Sequence, residues 1–170
     1  MKQSPKIGIF ILCYNVAAQI GNVIRSIPDH VYQRVNQILI IDNQSSDDTS
    51  EKAKEAVSEK HLTKIKILRN RKNYGYGGSH KVAFDWLSKA GSDYALLLHG
   101  DGQGDMTVLE ELIRCAEEER YDFIIGSRFL NPGKLDPNYS VVRKLGNYLL
   151  IGLQRVVSGL KITDPGSGEI

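Results

Sequence analysis

The chain has 170 residues, of which 41% are hydrophobic and 25% charged, as in a soluble globular domain that buries a core without disulfides or structural metal. Its 22 Lys and Arg residues nearly balance 20 Asp and Glu residues, and the net charge of +2 excludes nucleic acid as a main partner. Cys13 and Cys115 lack metal-ligand spacing, which predicts a reduced, cytoplasmic chain without a zinc site.

Short β-branched runs alternate with segments of helical period. This alternation predicts an α/β fold with a mostly parallel sheet and helices on both of its faces. Strands are predicted at residues 7–12, 37–41, 65–68, 94–98 and 123–125. Helices are predicted at residues 17–26, 48–60, 77–89 and 107–119, with a last helix from about Val141. Asp48 and Glu51 predict a capping box at the start of the second helix.

Neither end of the chain has the pattern of a membrane-spanning segment. The apolar run near the N-terminus is too short, and too soon followed by polar residues, for a signal peptide or a span. The late stretch YLLIGLQRVVSGL, residues 148–160, is interrupted by Gln154 and Arg155 and suits an amphipathic helix. A peripheral contact with lipid is left open there, so we expect a cytoplasmic protein, with the inner face of the membrane as the alternative.

Each predicted strand is followed by a polar segment. These segments read CYN at 13–15, DNQSSDD at 42–48, RNRKNYGYGG at 69–78, HGDGQGD at 99–105 and GSR at 126–128. Ligands of open α/β sheets collect at the carboxyl ends of the strands. A purely structural domain does not require such polar ends, so they predict a binding or catalytic site.

The glycine-rich stretch NYGYGGSHK does not fit a dinucleotide site, because that fingerprint belongs directly after the first strand, where this chain has CYN. The sequence also has no GxxxxGKS or GxxxxGKT phosphate loop. A turn before the third helix explains the glycines equally well. His80 is expected to be a partly buried surface residue rather than a ligand.

The segment after the fourth strand offers oxygen ligands on a tight turn. Asp101 and Asp105, with Gln103 between them, suit a hard divalent cation. Such an ion would gather the phosphates of a nucleotide and neutralise a departing diphosphate. This turn and the acidic turn after the second strand are expected to face each other across the sheet edge. Taken alone, the cluster is explained as well by a plain polar turn.

Seven segments, in order, resemble the catalytic domain of the inverting family 2 glycosyltransferases, and within them the dolichyl- or polyprenyl-phosphate sugar transferases. CYN resembles the family's TYN turn, LIIDNQSSDDT its VVDDGSTDGT segment, and NYGYGGSHKVAF its NxGxGxA stretch. HGDGQGD is similar to the DxDGQ metal turn, and IIGSRF to the VIGSRY strand exit. RKLGN and ITDPGSGE are similar to the arginine helix start and the DPxSGF acceptor segment. The resemblance implies a Rossmann-like GT-A fold and one catalytic domain over residues 1–170.

The resemblance also implies a donor site. Asp42 would hold the nucleotide base, in a pocket lined by Tyr14 and Asn15. Asp101 and Gln103 would bind the metal and the diphosphate. The implied residues of the nucleotide-sugar site are Tyr14, Asn15, Asp42, Asn43, Ser45, Gly75, Gly77, His99 and Gly100.

On the acceptor side, the resemblance implies that Arg128 reaches the phosphates or the acceptor and that Arg143 meets an acceptor phosphate. A solvated charge at a helix start explains Arg143 equally well. Asp164 and Ser167 would shape the acceptor site. The implied catalytic residues are Asp101, Arg128 and Arg143.

Three features depart from the family pattern. His99 replaces the first Asp of the D-x-D motif; as a metal ligand it would favour Mn over Mg, and otherwise it would touch only ribose or sugar. Asn43 replaces a second Asp after Asp42. The sequence stops at Ile170, so we expect a domain truncated at its C-terminus, with the rest of the acceptor site and any membrane helices beyond it.

The implied activity is that of a metal-dependent hexosyltransferase, which moves a sugar with inversion from a UDP- or GDP-linked donor to a polyprenyl phosphate. A hydroxyl acceptor would need a general base, whereas a lipid phosphate is already an anion. No carboxylate is an obvious base, and Arg128 and Arg143 suit phosphate. Two alternatives stay open: transfer to a sugar or protein hydroxyl, with the base beyond Ile170, and an inactive nucleotide-binding pseudoenzyme.

Overall fold

The computed structural model describes residues 4–102, 106–118, 121–124, 126–127, 140–161 and 163–164. The chain divides into two compact units, Met1–Asp122 and Phe123–Ile170. A single catalytic domain over residues 1–170 stays a prediction.

A four-stranded parallel sheet forms the centre of the described part of the first unit, in the order β3-β2-β1-β4. Each strand begins at its predicted residue and runs one residue further, because the backbone ladder does not depend on side-chain polarity. The strands are β1 (Ile7–Cys13), β2 (Gln37–Asp42), β3 (Ile65–Arg69) and β4 (Tyr94–His99). The strand predicted at 123–125 is not formed at Phe123 and Ile124, and Ile125 lies outside the described residues.

Both faces of the sheet are buried, which explains the unbroken apolar runs of its strands. On one face, side chains of β1, β2 and β4 pack against α4 (Gly75–Lys89). Burying each large apolar side chain there contributes about 1.5–3 kcal/mol to stability. This core consists of Phe10, Leu39, Ile41, Ala83, Leu87 and Leu97. On the other face, the buried side chains include Ile9, Ile11, Ile38 and Ile40.

The predicted helices form within two residues of their predicted bounds. Besides α4, they are α1 (Ala17–Ser26), α3 (Thr49–Glu59), α5 (Met106–Glu117) and α6 (Val141–Ser158). The sequence reasoning missed the short helix α2 (Asp29–Arg34), in which Val31 is buried. Two turns of helix are too short to show a hydrophobic period.

The capping box predicted from Asp48 and Glu51 is wrong. Asp48 precedes α3 but makes no side-chain capping bond. Instead, Asp47 accepts hydrogen bonds from the amide of Thr49 at 3.1 Å and from the amide of Ala17 at 3.0 Å. The DNQSSDD segment therefore satisfies free amides at the starts of both α3 and α1.

Asp47→Asn is expected to lower the free energy of unfolding by about 1 kcal/mol at neutral pH, the usual effect of losing a helix cap. Burial raises the pKa of the Asp47 carboxyl, but hydrogen bonds from Thr49 and Ala17 outweigh it and hold the pKa below its ordinary value. The contribution of Asp47 is therefore complete above the unfolded-state pKa of about 4 and is lost as the pH falls through the lowered folded-state pKa.

Urea unfolding of the wild type and of Asp47→Asn, measured from pH 7 downward, tests this. The difference between the two proteins should be constant above about pH 5 and shrink below about pH 4. Asp48→Asn is the matched control and should change stability by less than about 0.5 kcal/mol. An equal loss in both variants would contradict the assignment of the cap to Asp47.

Candidate functional site

The backbone ladder of the sheet continues beyond the ends of its strands. The amide of Asn43 donates to the carbonyl oxygen of Cys13 at 2.8 Å, and the amide of Gly100 donates to that of Leu12 at 3.0 Å. These bonds hold the segments after β2 and β4 beside the end of β1. The strand order reverses at β1, which is where ligands of open α/β sheets bind.

A pocket of about 360 Å³ opens at this edge, a volume within the range of small-molecule sites. The end of β1, the segments after β2 and β4, and the start of α4 all contribute to it. Its lining residues are Leu12, Cys13, Tyr14, Val16, Asn43, Asn73, Gly75, Tyr76, Ser79, His99, Gly100 and Asp101.

Several residues that the sequence predicted for the donor site meet in this pocket. As expected, the turns after β2 and β4 lie on the same site, since Asn43 comes from the first and Asp101 from the second. The predicted residues brought together are Tyr14, Asn43, Gly75, His99, Gly100 and Asp101.

Four other predicted donor residues are described by the structure but do not line the pocket: Asn15, Asp42, Ser45 and Gly77. Asp42 is 1% exposed, and its carboxylate accepts from the Ser45 amide at 2.7 Å and from the Ser50 hydroxyl. Its Oδ2 also lies 3.7 Å from Nε of Arg69. The Asp42 carboxylate thus holds the loop that follows β2.

Asn15 and Ser45 link the loops after β1 and β2. Asn15 adopts a left-handed φ of 53°, which asparagine tolerates, and its Oδ1 accepts from the Ser46 amide at 2.8 Å. The Ser45 hydroxyl accepts from the Asn15 amide at 2.9 Å. Direct contact of these residues with a nucleotide stays a prediction.

The remaining predicted site residues lie elsewhere. Gln103, Arg128 and Ser167 fall outside the described residues, so their assigned roles stay predictions. Arg143 and Asp164 belong to the second unit, where Arg143 is exposed on α6 and Asp164 is buried.

Aromatic rings form one wall of the pocket. The rings of Tyr76 and His99 are parallel, with centroids 6.1 Å apart and 4° between their planes. His80 packs edge-on against Tyr76 and Phe10 and is 8% exposed. Its Nδ1 lies 2.9 Å from the carbonyl oxygen of Tyr76, which can only accept, so Nδ1 carries the proton. His80 therefore supports the wall from behind and does not line the pocket.

Burial and nearby carboxylates both act on the titratable groups of the pocket. Burial, with the charge of Asp101, raises the pKa of the Tyr76 hydroxyl. Burial also raises the pKa of the Cys13 thiol far above its ordinary value, and the charges of Asp42 and Asp101 raise it further. The thiol is therefore neutral at physiological pH and is not a nucleophile.

No group of three or more His, Cys, Asp and Glu side chains in the described ranges could hold a metal ion by itself. A divalent cation that bridges two phosphates needs only one or two protein carboxylates, because phosphate oxygens and water complete its shell. Asp101 lies in the pocket and fits that requirement.

The sequence reasoning missed several lining residues, among them Cys13, Asn73, Tyr76 and Ser79. Cys13 lies in the CYN turn, and the others lie in the glycine-rich stretch that the resemblance already marked. Tyr76 stands between the two predicted glycines, and Ser79 follows one turn later on the same face of α4. Helical spacing from Gly75 was therefore a signal that could have found them.

The chain belongs to glycosyl transferase family 2, whose model matches residues 8–163. It is 26% identical over 170 residues to a UDP-N-acetylglucosamine–dolichyl-phosphate N-acetylglucosaminyltransferase of Methanococcus voltae, covering 94% of this chain and 66% of that protein. It is 30% identical over 166 residues to a dolichol-phosphate mannosyltransferase of Pyrococcus furiosus, covering 96% of this chain and 45% of that protein. These relatives confirm the resemblance, and the chain spans less than two thirds of their length.

Solved structures confirm the GT-A fold. Glucosyl-3-phosphoglycerate synthase of Mycobacterium tuberculosis, in complex with Mn²⁺, UDP-glucose and phosphoglyceric acid, superposes with a TM-score of 0.65 at 19% identity, covering 97% of this chain and 55% of that one. A mannosyltransferase of Pyrobaculum calidifontis, in complex with GDP-Man and Mn²⁺, superposes with a TM-score of 0.52 at 13% identity, covering 67% of this chain and 33% of that one.

Gly100→Ala is expected to destabilise the fold and deform the pocket. A Cβ at this position would lie 2.7 Å from both the carbonyl oxygen of Leu12 and Sγ of Cys13, so the ladder between β1 and β4 would have to shift. We expect a loss of about 1–3 kcal/mol, as for other overpacked sites. Gly77→Ala is the comparison, because a Cβ there meets nothing within 4 Å and alanine favours a helix. Calorimetric Tm values should fall only for Gly100→Ala.

Proposed function

We propose that this chain is the donor-binding and catalytic part of a metal-dependent inverting hexosyltransferase. The enzyme would transfer a sugar from a UDP- or GDP-linked donor to a polyprenyl phosphate. The observation that carries the proposal is the pocket at the end of β1, where Asp101 and Asn43 meet from opposite sides of that strand. The names of the two archaeal relatives support the lipid-phosphate acceptor, and the ligands of the two solved neighbours support a nucleotide-sugar donor with Mn²⁺.

On the donor side, Asp101 would hold the cation, with Gln103 and His99 as further predicted ligands. The cation, when bound, neutralises charge on the departing diphosphate. His99, stacked beside Tyr76, presents an imidazole ring where the family motif has a carboxylate. One less negative charge next to the diphosphate favours the anionic donor.

On the acceptor side, the chemistry favours a nucleophile that brings its own negative charge. Asp101 is the one carboxylate among the described residues that line the pocket, and the proposal assigns it to the cation. A phosphate oxygen attacking the anomeric carbon needs no general base, unlike a hydroxyl. Arg128 and Arg143 are the cations proposed to bind that phosphate.

Helix α6 carries an exposed apolar face. Lys144, Asn147 and Gln154 are half-buried, whereas the large apolar side chains other than Ile151 point to solvent, with Leu149 77% and Val156 84% exposed. Residues 140–161 contain four Lys or Arg and neither Asp nor Glu. We propose that this face contacts an anionic lipid surface that holds the acceptor. None of the helices in the described part of the chain has the length and apolar character to cross a membrane.

Asp101→Ala is expected to abolish metal-dependent nucleotide binding and to lower sugar transfer on the order of a thousandfold, because the cation loses its protein carboxylate. Titration calorimetry of this chain with UDP and with GDP, each with Mn²⁺, Mg²⁺ or chelator, measures the binding. Asp85→Ala, which removes an exposed carboxylate from α4, should bind as the wild type does.

Transfer to dolichyl phosphate, assayed beside transfer to a sugar and to a protein hydroxyl, separates the alternatives. Product with a lipid phosphate supports the proposal, and product only with a sugar or protein hydroxyl supports the first alternative. Nucleotide binding without transfer or donor hydrolysis would identify a pseudoenzyme. If Asp101→Ala transferred sugar at nearly the wild-type rate, the proposed role of the Asp101 carboxylate would be wrong.

Leu149→Glu is expected to reduce binding to vesicles that contain phosphatidylglycerol, because it places a negative charge in the exposed apolar face of α6. Ser88→Glu adds the same charge to an exposed position of α4 and should bind vesicles as the wild type does. Vesicle flotation measures the bound fraction. Equal flotation of both variants would contradict a lipid contact through α6.

A further inference from the structure

Three asparagine side chains lie together behind the start of α4. Oδ1 of Asn43 accepts hydrogen bonds from the Tyr74 amide and from Nδ2 of Asn70, both at 2.9 Å. Nδ2 of Asn43 donates to Oδ1 of Asn73 at 2.8 Å, and the same Oδ1 accepts from the Gly75 amide at 2.8 Å. Each of these two oxygens thus accepts two hydrogen bonds, which fills its capacity.

The backbone determines which way the side-chain amides point. A backbone N–H can only donate, so the atom of Asn43 that faces the Tyr74 amide is oxygen. For the same reason, the atom of Asn73 that faces the Gly75 amide is oxygen. The other amide atom of Asn43 is then nitrogen, and nitrogen is what Asn73 Oδ1 requires as its second partner.

A carboxylate at position 43 could still accept from Tyr74 and Asn70, but it could not donate to Asn73 as the amide does. It would put a second oxygen at 2.8 Å from Oδ1 of Asn73, and two acceptors at that distance repel each other. Turning the Asn73 amide over would remove the repulsion, but its nitrogen would then face the Gly75 N–H. Gly75 lies at an exposed position, so its amide, once released from Asn73, would bond to water instead.

The network determines the shape of one side of the pocket. Asn73, Gly75 and Tyr76 line the pocket, and the hydrogen bonds of Asn43 fix the turn that carries them. Gly75 has a φ of +70°, a conformation that side chains disfavour, so external hydrogen bonds are needed to hold the turn in one state. The acceptor capacity of Asn43 is used up inside the protein, which leaves only its N–H groups for a ligand.

We propose that Asn43 is a positioning residue, which fixes the turn from Asn70 to Gly75 and thereby shapes the donor pocket, and that its oxygen is not a ligand of the nucleotide. The amide at position 43, where the family segment has a carboxylate, thus allows Asn73 to accept from both Asn43 and the Gly75 amide. The part of the proposal that concerns nucleotide binding rests on the proposed function.

Two aspartate variants of adjoining residues test the proposal. Asn43→Asp should break the contact with Asn73 and release the Gly75 amide. Asn73→Asp adds the same charge but keeps both contacts of residue 73, because both are accepted by oxygen. Exchange of the Gly75 amide with water, measured by NMR on labelled protein without nucleotide, should be about tenfold faster in Asn43→Asp than in the wild type. In Asn73→Asp it should be unchanged.

Nucleotide affinity tests the effect on the pocket. Asn43→Asp should weaken nucleotide binding about tenfold, raise the donor KM and leave kcat within about twofold, since Asn43 touches no reacting atom. Val31→Ala, a core variant in α2, controls for lost stability and should leave the affinity unchanged.

If the Gly75 amide of Asn43→Asp exchanged as slowly as that of the wild type, the proposed role of Asn43 in fixing the turn would be wrong. If the Gly75 amide exchanged faster but nucleotide affinity were unchanged, Asn43 would fix the turn without shaping the donor pocket. If the wild type binds no nucleotide, the proposed function fails while the exchange measurement still decides the role of Asn43 in the turn.

Discussion

The parallel register of β1 with its two neighbours is the constraint on which the site depends. Because the ladder continues for one residue beyond the strands, Asn43 is bonded to Cys13 and Gly100 to Leu12, and two distant segments meet at the end of β1. Gly100 permits this approach, since any Cβ there would collide with the β1 backbone. Asp101 lies in the pocket because the preceding residue, Gly100, is held against the end of β1.

The acidic segment after β2 serves mainly to connect loops and helices. A buried carboxylate is tolerated when it is hydrogen-bonded and paired with an opposite charge, and Asp42 meets that condition through hydrogen bonds from Ser45 and Ser50 and an ion pair with Arg69. Asp47 joins the starts of α1 and α3. Asp101 is the carboxylate that the described residues present to the pocket, which suits a site for an anionic donor and a cation.

The network around Asn43 and the exposed face of α6 differ in which side chains are buried and which face the solvent. The side-chain amides of Asn43 and Asn70 are buried and paired, so they fix a turn in one conformation. In α6, Lys144, Asn147 and Gln154 are half-buried and the large apolar side chains other than Ile151 face outward, an arrangement that in water alone is unfavourable. The proposed transfer from a nucleotide sugar to a lipid phosphate would use both the donor pocket and the apolar face of α6.

The sequence by itself determined the four strands to within one residue, because apolar runs buried on both faces leave an unbroken signal. The order of its motifs also predicted the family and most of the segments that form the pocket. Which of two adjacent residues enters the pocket became clear only from the tertiary structure: the sequence assigned both Asp42 and Asn43 to the donor site, but only Asn43 lines the pocket. Neighbouring residues of a strand point to opposite sides, and register and long-range hydrogen bonds, which local sequence does not encode, decide the side that becomes a site.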